Sequence, residues 1–185
     1  EIPKLNTTIP IYHGTEEAVL QVGVGHLQNT SLPVGGESTH AALSGHRGLP
    51  TRSLFTDLDK LEVGDIFYIR VLNQTLCYTV DQILTVLPSE MDALAIEEEK
   101  DYVTLITCTP YGINSHRLLV RGVRTPYDPQ QHQEETAEQL SVWQRMPIQY
   151  RHILTGAAVL VVILLLRWIV IALAGFVKRR KQQHE

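Results

Sequence analysis

The sequence lacks a basic stripe, an internal repeat, a low-complexity tract and a signal peptide at its start. Residues 1–144 contain nine Lys and Arg against nineteen Asp and Glu, a net charge of −10. Because proteins that bind nucleic acid carry clustered positive charge, this acidic segment argues against a nucleic-acid partner. The chain starts at Glu1 rather than Met, so we expect that an N-terminal segment has been processed or trimmed away.

Cysteine is scarce, with only Cys77 and Cys108 among 185 residues. An even number is compatible with one disulfide outside a cell, which requires the two Cα atoms to lie within about 7 Å. Cys77 lies in the middle of "TLCYTV" and is most simply a small core residue. Cys108 ends an apolar run and has three readings: a core residue, half of a disulfide, or a nucleophile.

One apolar run is long, Ile153–Val177. It exceeds the 18 residues that indicate a transmembrane helix. The basic segment 178–185 follows it, whereas only two basic groups directly precede it. The positive-inside rule therefore places this tail in the cytoplasm and the domain before the helix outside the cell. We predict a protein of the cell membrane, with a polar connector at 128–152 between the helix and an extracellular domain at 1–127.

The extracellular part is predicted to be mainly β, because short β-branched or aromatic runs alternate with turn signals. The predicted strands are Ile9–Tyr12, Ala18–Leu27, Thr39–His46, Asp65–Leu72, Thr75–Leu87, Tyr102–Cys108 and Arg117–Arg124. Short helices are predicted at Ser53–Leu61 and near Glu90–Ile96. The acidic run Glu97–Asp101 has no EF-hand ligand spacing and is predicted to be a solvated loop. Many short strands with a few small helices indicate a closed or nearly closed β-barrel.

Cys108 is predicted to face an arginine. Alternation along the strand places Tyr102, Thr104, Ile106 and Cys108 on one face. If the strands before and after the loop form a hairpin, Cys108 and Arg117 lie opposite each other on that face. A guanidinium there could stabilise a thiolate, or it could donate hydrogen bonds to an oxyanion during acyl transfer.

A cysteine nucleophile also needs a proton-transfer partner, usually a histidine. Eight histidines are present, and the pattern leaves His46, His40 and His116 as candidates. His46 ends a predicted strand before "RGLP", where a strand meets a loop. No Asp or Glu stands out as an orienting third residue.

The residues around Cys108 resemble the sortases, cysteine transpeptidases of Gram-positive cell surfaces. "TLITC" at Thr104–Cys108 matches the TLxTC signature of that family, with Arg117 nine residues later and His46, in "SGHRG", 62 residues earlier. Residues 2–127 are similar to class C, the pilin-polymerising sortases. The resemblance implies a sortase-type closed β-barrel with His46, Cys108 and Arg117 as the catalytic residues. It also makes a Cys77–Cys108 disulfide an unfavourable reading, since that bond would consume the nucleophile.

The resemblance further implies a function. The expected enzyme cleaves an LPxTG-like sorting signal of a pilin between Thr and Gly, through an acyl-thioester, and joins the pilin to a lysine amine of another pilin subunit. No cofactor and no metal are expected. The Asp-Pro-aromatic motif of the class C lid does not precede "IPKLN". Two alternatives remain: a cysteine hydrolase that resolves the same intermediate with water, and a non-catalytic surface scaffold.

Overall fold

Seven strands form one sheet in the computed structural model, which describes residues 1–48, 54–139 and 154–155. The strands are β1 Ile11–His13, β2 Val24–His26, β3 Thr39–Ser44, β4 Ile66–Val71, β5 Gln74–Val86, β6 Asp101–Thr109 and β7 His116–Thr125. The helices are α1 Glu17–Leu20 and α2 Pro129–Gln139, with 3₁₀ turns at Pro3–Leu5, Leu58–Lys60 and Asp92–Leu94. The prediction of a mainly β fold with a few short helices is confirmed.

The strands are ordered β1-β2-β3-β6-β7-β5-β4 across the sheet. The β1–β2 and β3–β6 pairs are parallel and the other pairs are antiparallel. Within the described residues the two end strands, β1 and β4, are not paired with each other. The sheet is therefore a curled half-barrel, and the predicted closed barrel is wrong in this respect. The carbonyl of Glu1 accepts the N–H of Tyr68 on β4 at 2.8 Å, so the N-terminal segment occupies the edge that closure would need.

Six of the seven predicted strands match the observed ones to within two residues, and the run Ala18–Leu27 does not. Its first part is α1, where the N–H groups of Val19 and Leu20 both donate to the carbonyl of Glu16. Only its last part is a strand, β2. The reason is that β propensity depends on neighbouring strands more than on the local residues.

The inner face of the sheet holds a large apolar core. Its buried members are Ile2, Val24, Ala41, Leu43, Phe55, Leu58, Leu61, Phe67, Ile69, Leu76, Tyr78, Val80, Val103, Leu105, Leu118 and Val120. The predicted helical spacing of Leu54, Leu58 and Leu61 does bury all three side chains. However, from Leu54 onward this segment is a turn followed by the 3₁₀ turn Leu58–Lys60, not an α-helix.

Residues Glu1–Gln139 form one compact unit, which includes α2. The hydroxyl of Tyr68 donates to Glu135 at 2.8 Å, and the ring of His132 stacks on that of Tyr68 with centroids 4.0 Å apart. The described residues include no helix that is both long and apolar enough to cross a membrane. Apart from two residues, 154 and 155, the predicted span and its basic tail lie outside the described residues. The predicted domain boundaries stay predictions.

Candidate active site

Cys108 lies near the end of β6, directly opposite Arg117 on β7. This is the pairing that the sequence predicts. The thiol is partly exposed, whereas Cys77 is buried on β5, and both cysteines are free. Arg117 also pairs with Val86, the last residue of β5, whereas Cys77 lies near the start of that strand. The two thiols therefore lie toward opposite ends of the sheet, and the disulfide reading is wrong.

The loop between β6 and β7 sets this register. The carbonyl of Pro110 accepts the N–H groups of Ile113 and Asn114 at 3.1 and 2.9 Å. The tight turn needs left-handed backbone at Gly112 and Asn114, whose φ angles are +76° and +60°. Glycine and asparagine are the residues that adopt this conformation at least cost. The local sequence therefore positions the cysteine opposite the arginine.

The guanidinium of Arg117 is held by its own loop. Its Nη1 donates to the carbonyls of Asn114 at 3.2 Å and His116 at 3.0 Å. Its Nε and Nη2 have no hydrogen-bond partner in the described part of the chain. Because Arg117 pairs with Cys108 across the two strands, these N–H groups can donate to a negative charge that develops near the thiol.

His46 follows β3 and lies at the same end of the strands as Cys108. The last pair between the parallel strands β3 and β6 is Ser44 with Ile106. Beyond it, the N–H of Gly45 donates to the carbonyl of Ile106 at 3.0 Å. His46 and Cys108 each follow this pair by two residues, so their backbones lie side by side. The sheet thus brings together His46 and Cys108, which are 62 residues apart in the chain.

The other two candidate histidines have different surroundings. His40 is buried on β3 opposite Tyr102, six residues before Cys108. It is hydrogen-bonded through both ring nitrogens. The Nδ1 of His116 lies 2.9 Å from the hydroxyl of Ser115. His116 pairs with Thr109, next to Cys108 but on the opposite face of the sheet, whereas His46 follows β3 alongside the end of β6.

Glu17 is a carboxylate that the sequence did not reveal. Both of its carboxylate oxygens lie 3.3 Å from Nε2 of His46. Hydrogen bonds from Gln21 and His46 hold the pKa of the exposed Glu17 below its usual range. The sequence does not indicate this role for Glu17, because the residues that follow it predict a strand at Ala18–Leu27. The only local signal is the acidic pair Glu16–Glu17 directly before that run.

A small apolar cluster adjoins the Cys108–Arg117 pair on the outer face of the sheet. Ile106 and Leu119 are themselves paired, two residues along each strand from that pair, so they share its face. We call the outer cluster the set that these residues form with Ala42, Leu27, Leu84, Val86, Ala93 and Leu94. Ala93 and Leu94 belong to the 3₁₀ turn Asp92–Leu94, which thus packs against the buried part of this cluster.

A cleft of about 640 Å³ lies at the opposite end of β6. It is lined by residues that include Gly35, Gln74, Asp101 and Arg124. Cys108 lies seven positions after Asp101 along the extended strand, a distance of roughly 23 Å at about 3.3 Å per residue. This cleft is not part of the candidate active site.

Comparisons with known proteins match the whole of the seven-stranded sheet. The sortase domain family matches residues 1–125. Sortase D of Bacillus subtilis is 30% identical over 127 residues, which cover 67% of this chain and 61% of that protein. The crystal structure of sortase C1 from Streptococcus agalactiae is 60% identical with a TM-score of 0.68, covering 69% of this chain and 66% of that one. Sortase C of Streptococcus pneumoniae, whose structure bears on pilin substrate specificity, is 58% identical with a TM-score of 0.68, covering 69% and 67%. The predicted resemblance to class C sortases is confirmed, and the chain spans about two thirds of these relatives.

Proposed function

The chain belongs to the sortase family, and we propose that it is a membrane-anchored cysteine transpeptidase that polymerises pilins. Its substrate is an LPxTG-like sorting signal on a pilin subunit, and its second substrate is a lysine amine of another subunit. The similarity to streptococcal sortase C structures supports this choice. The proposed location is the outer face of the cell membrane, with the apolar run 153–177 as the anchor and the tail 178–185 in the cytoplasm.

In the first step, the thiolate of Cys108 attacks the carbonyl carbon of the sorting-signal threonine. The free N–H groups of Arg117 donate to the oxyanion that develops on that carbonyl. The amide bond to glycine then breaks. His46 donates a proton to the departing glycine amine, and the threonine remains on Cys108 as a thioester.

In the second step, a lysine amine attacks the thioester carbonyl. A tetrahedral oxyanion forms again and is stabilised by the same guanidinium. His46 accepts the proton that the amine loses, and the thiolate of Cys108 leaves. An isopeptide bond joins the two subunits, and the enzyme returns to its starting state.

One observation carries this proposal. His46, Cys108 and Arg117 come together where the neighbouring strands β3 and β6 end and β7 begins. The outer cluster lies on the same face as the Cys108–Arg117 pair, and its partly buried members, Val86 and Leu94 among them, offer apolar contacts to the side chains of a bound peptide. Anchoring supports the second step, because two membrane-tethered substrates meet the enzyme at raised effective concentration.

The test is the intact mass of the full chain in detergent, incubated with an LPxTG-type peptide with and without a lysine-bearing acceptor peptide. We expect a thioester adduct on the wild type that the acceptor converts to a peptide conjugate. Cys108→Ala should give no adduct. Cys77→Ser is the matched control, because it removes the other thiol from a position remote from the site, and it should still form the adduct.

The rival functions give different outcomes. An adduct that resolves only to the free acid in the presence of acceptor would show a hydrolase. A wild type that forms no adduct with any sorting peptide would contradict the proposal, as would an adduct that persists in Cys108→Ala.

A further inference from the structure

The loop Leu87–Lys100, between β5 and β6, borders the outer cluster. Its 3₁₀ turn contributes Ala93 and Leu94, which pack against the buried Ala42, Ile106 and Leu119. Most of the loop's residues are exposed, and a loop of this length has many alternative conformations. The position of the 3₁₀ turn beside the outer cluster therefore depends on the contacts that hold the loop to the sheet.

The first anchor is His40, a buried residue on β3. Its Nδ1 lies 2.9 Å from the carbonyl oxygen of Ala95, in the loop, and its Nε2 lies 2.7 Å from the hydroxyl of Thr104 on β6. A carbonyl only accepts, so Nδ1 carries the proton. Burial lowers the pKa of His40, so near neutral pH the ring is uncharged and Nε2 accepts from Thr104. Both ring nitrogens are satisfied in this single tautomer.

The second anchor is Glu97, two residues further along the loop. Its carboxylate accepts from Nη1 of Arg121 at 3.3 Å and from the hydroxyl of Tyr102 at 3.2 Å. Arg121 is itself fixed on the sheet. It donates to both oxygens of Asp81 at 3.1 and 2.8 Å, and its guanidinium lies 4.1 Å from the centroid of the Tyr102 ring. Glu97 is therefore tied to the sheet, whereas the sequence predicts a solvated loop at this position.

We propose that His40 and Glu97 are positioning residues that hold the loop Leu87–Lys100 against the outer cluster and so set the shape of the peptide-binding surface beside Cys108. The proposal rests on the proposed function for its effect on catalysis. Neither residue contacts the reacting atoms. Losing an anchor should therefore weaken peptide binding and leave the reactivity of the thiol unchanged.

Two substitutions at His40 separate its two hydrogen bonds. In His40→Asn the amide nitrogen can take the place of Nδ1 and still donate to Ala95. In His40→Gln the longer amide reaches the place of Nε2 and keeps only the contact with Thr104. We expect His40→Gln to raise KM for the sorting peptide about 3- to 10-fold with little change in kcat, as suits the loss of one net hydrogen bond. In His40→Asn, which keeps the hydrogen bond to Ala95, KM should stay near the wild-type value.

Hydrogen exchange provides a readout that needs no activity. Amides in 87–100 should exchange faster in His40→Gln than in the wild type or His40→Asn, with the β6 and β7 amides unchanged. Glu97→Ala, on the exposed loop, avoids any effect on folding of the core. It should also speed exchange in 87–100 and raise KM.

Two results would overturn the proposal. One is equal exchange in 87–100 for His40→Gln, Glu97→Ala and the wild type. The other is a fall in kcat and in the alkylation rate of Cys108 in place of a rise in KM. If the wild type forms no acyl-enzyme, the proposed function fails, whereas the exchange data still decide whether the two residues hold the loop.

Discussion

The substitution Arg117→Ala tests the role of the arginine that faces Cys108. A guanidinium has five N–H donors. Nη1 directs its donors to the carbonyls of Asn114 and His116, which leaves the donors on Nε and Nη2 for an oxyanion. Removing one oxyanion donor from an enzyme costs about 10²–10³ in rate, which corresponds to roughly 2.7–4 kcal/mol. We expect kcat/KM for acyl-enzyme formation to fall by that factor.

The same substitution should hardly change the free energy of unfolding. Arg117 is only half-buried, and its two hydrogen bonds go to carbonyls of Asn114 in the loop and His116 at the start of β7. Each bond contributes about 1 kcal/mol or less. A large loss of rate with a small loss of stability is thus the signature of a group that acts in the transition state. Arg117→Lys is the matched variant, because it keeps the charge and loses the planar fork of donors. Its kcat/KM for acyl-enzyme formation should lie between the values of the wild type and Arg117→Ala.

The assay combines peptide cleavage, followed by chromatography under single-turnover conditions, with urea unfolding of each variant. Wild-type turnover in Arg117→Ala would refute the reasoning. So would a loss of rate that is matched by a comparable loss of folding stability, because the arginine would then be a structural residue.

Three other results are expected. Leu58→Ala removes a fully buried side chain from the inner core and should lower the free energy of unfolding by about 2.5–5 kcal/mol in urea titrations, whereas a loss below about 1 kcal/mol would contradict the packing. His46→Ala should abolish acyl-enzyme formation in the mass assay, and full activity would mean that another histidine transfers the proton. In the folded protein one thiol, Cys108, should react rapidly with a thiol reagent. Cys77 should react only after unfolding, because burial shields it and raises its pKa, and rapid reaction of both thiols would contradict this burial.

Local sequence predicts much of the candidate site. The alternation of side chains along β6 and the glycine and asparagine of the following turn were enough to predict that Cys108 faces Arg117. A hairpin is a local structure, and its register depends on the turn between its strands. Most strand bounds were also predicted to within two residues, because turn residues next to a β-branched or aromatic run mark its ends locally.

Contacts between distant segments could not be predicted in this way. Glu17 approaches His46 only because the first part of a β-rich run folds as a helical turn. Glu97 lies in an acidic run that resembles a solvated loop, and its partner Arg121 comes from β7. No local pattern in the sequence indicates that these charges meet.

The amino-acid pattern alone indicated the β-rich class, the Cys108–Arg117 hairpin and, through its likeness to a family, the choice of His46. The tertiary structure decided that β3 runs parallel to β6, that the sheet curls without closing, and which groups surround His46. The physical reason is that side-chain periodicity and turn chemistry act over a few residues. Pairing between β3 and β6 depends on the packing of the whole core, which no single segment encodes.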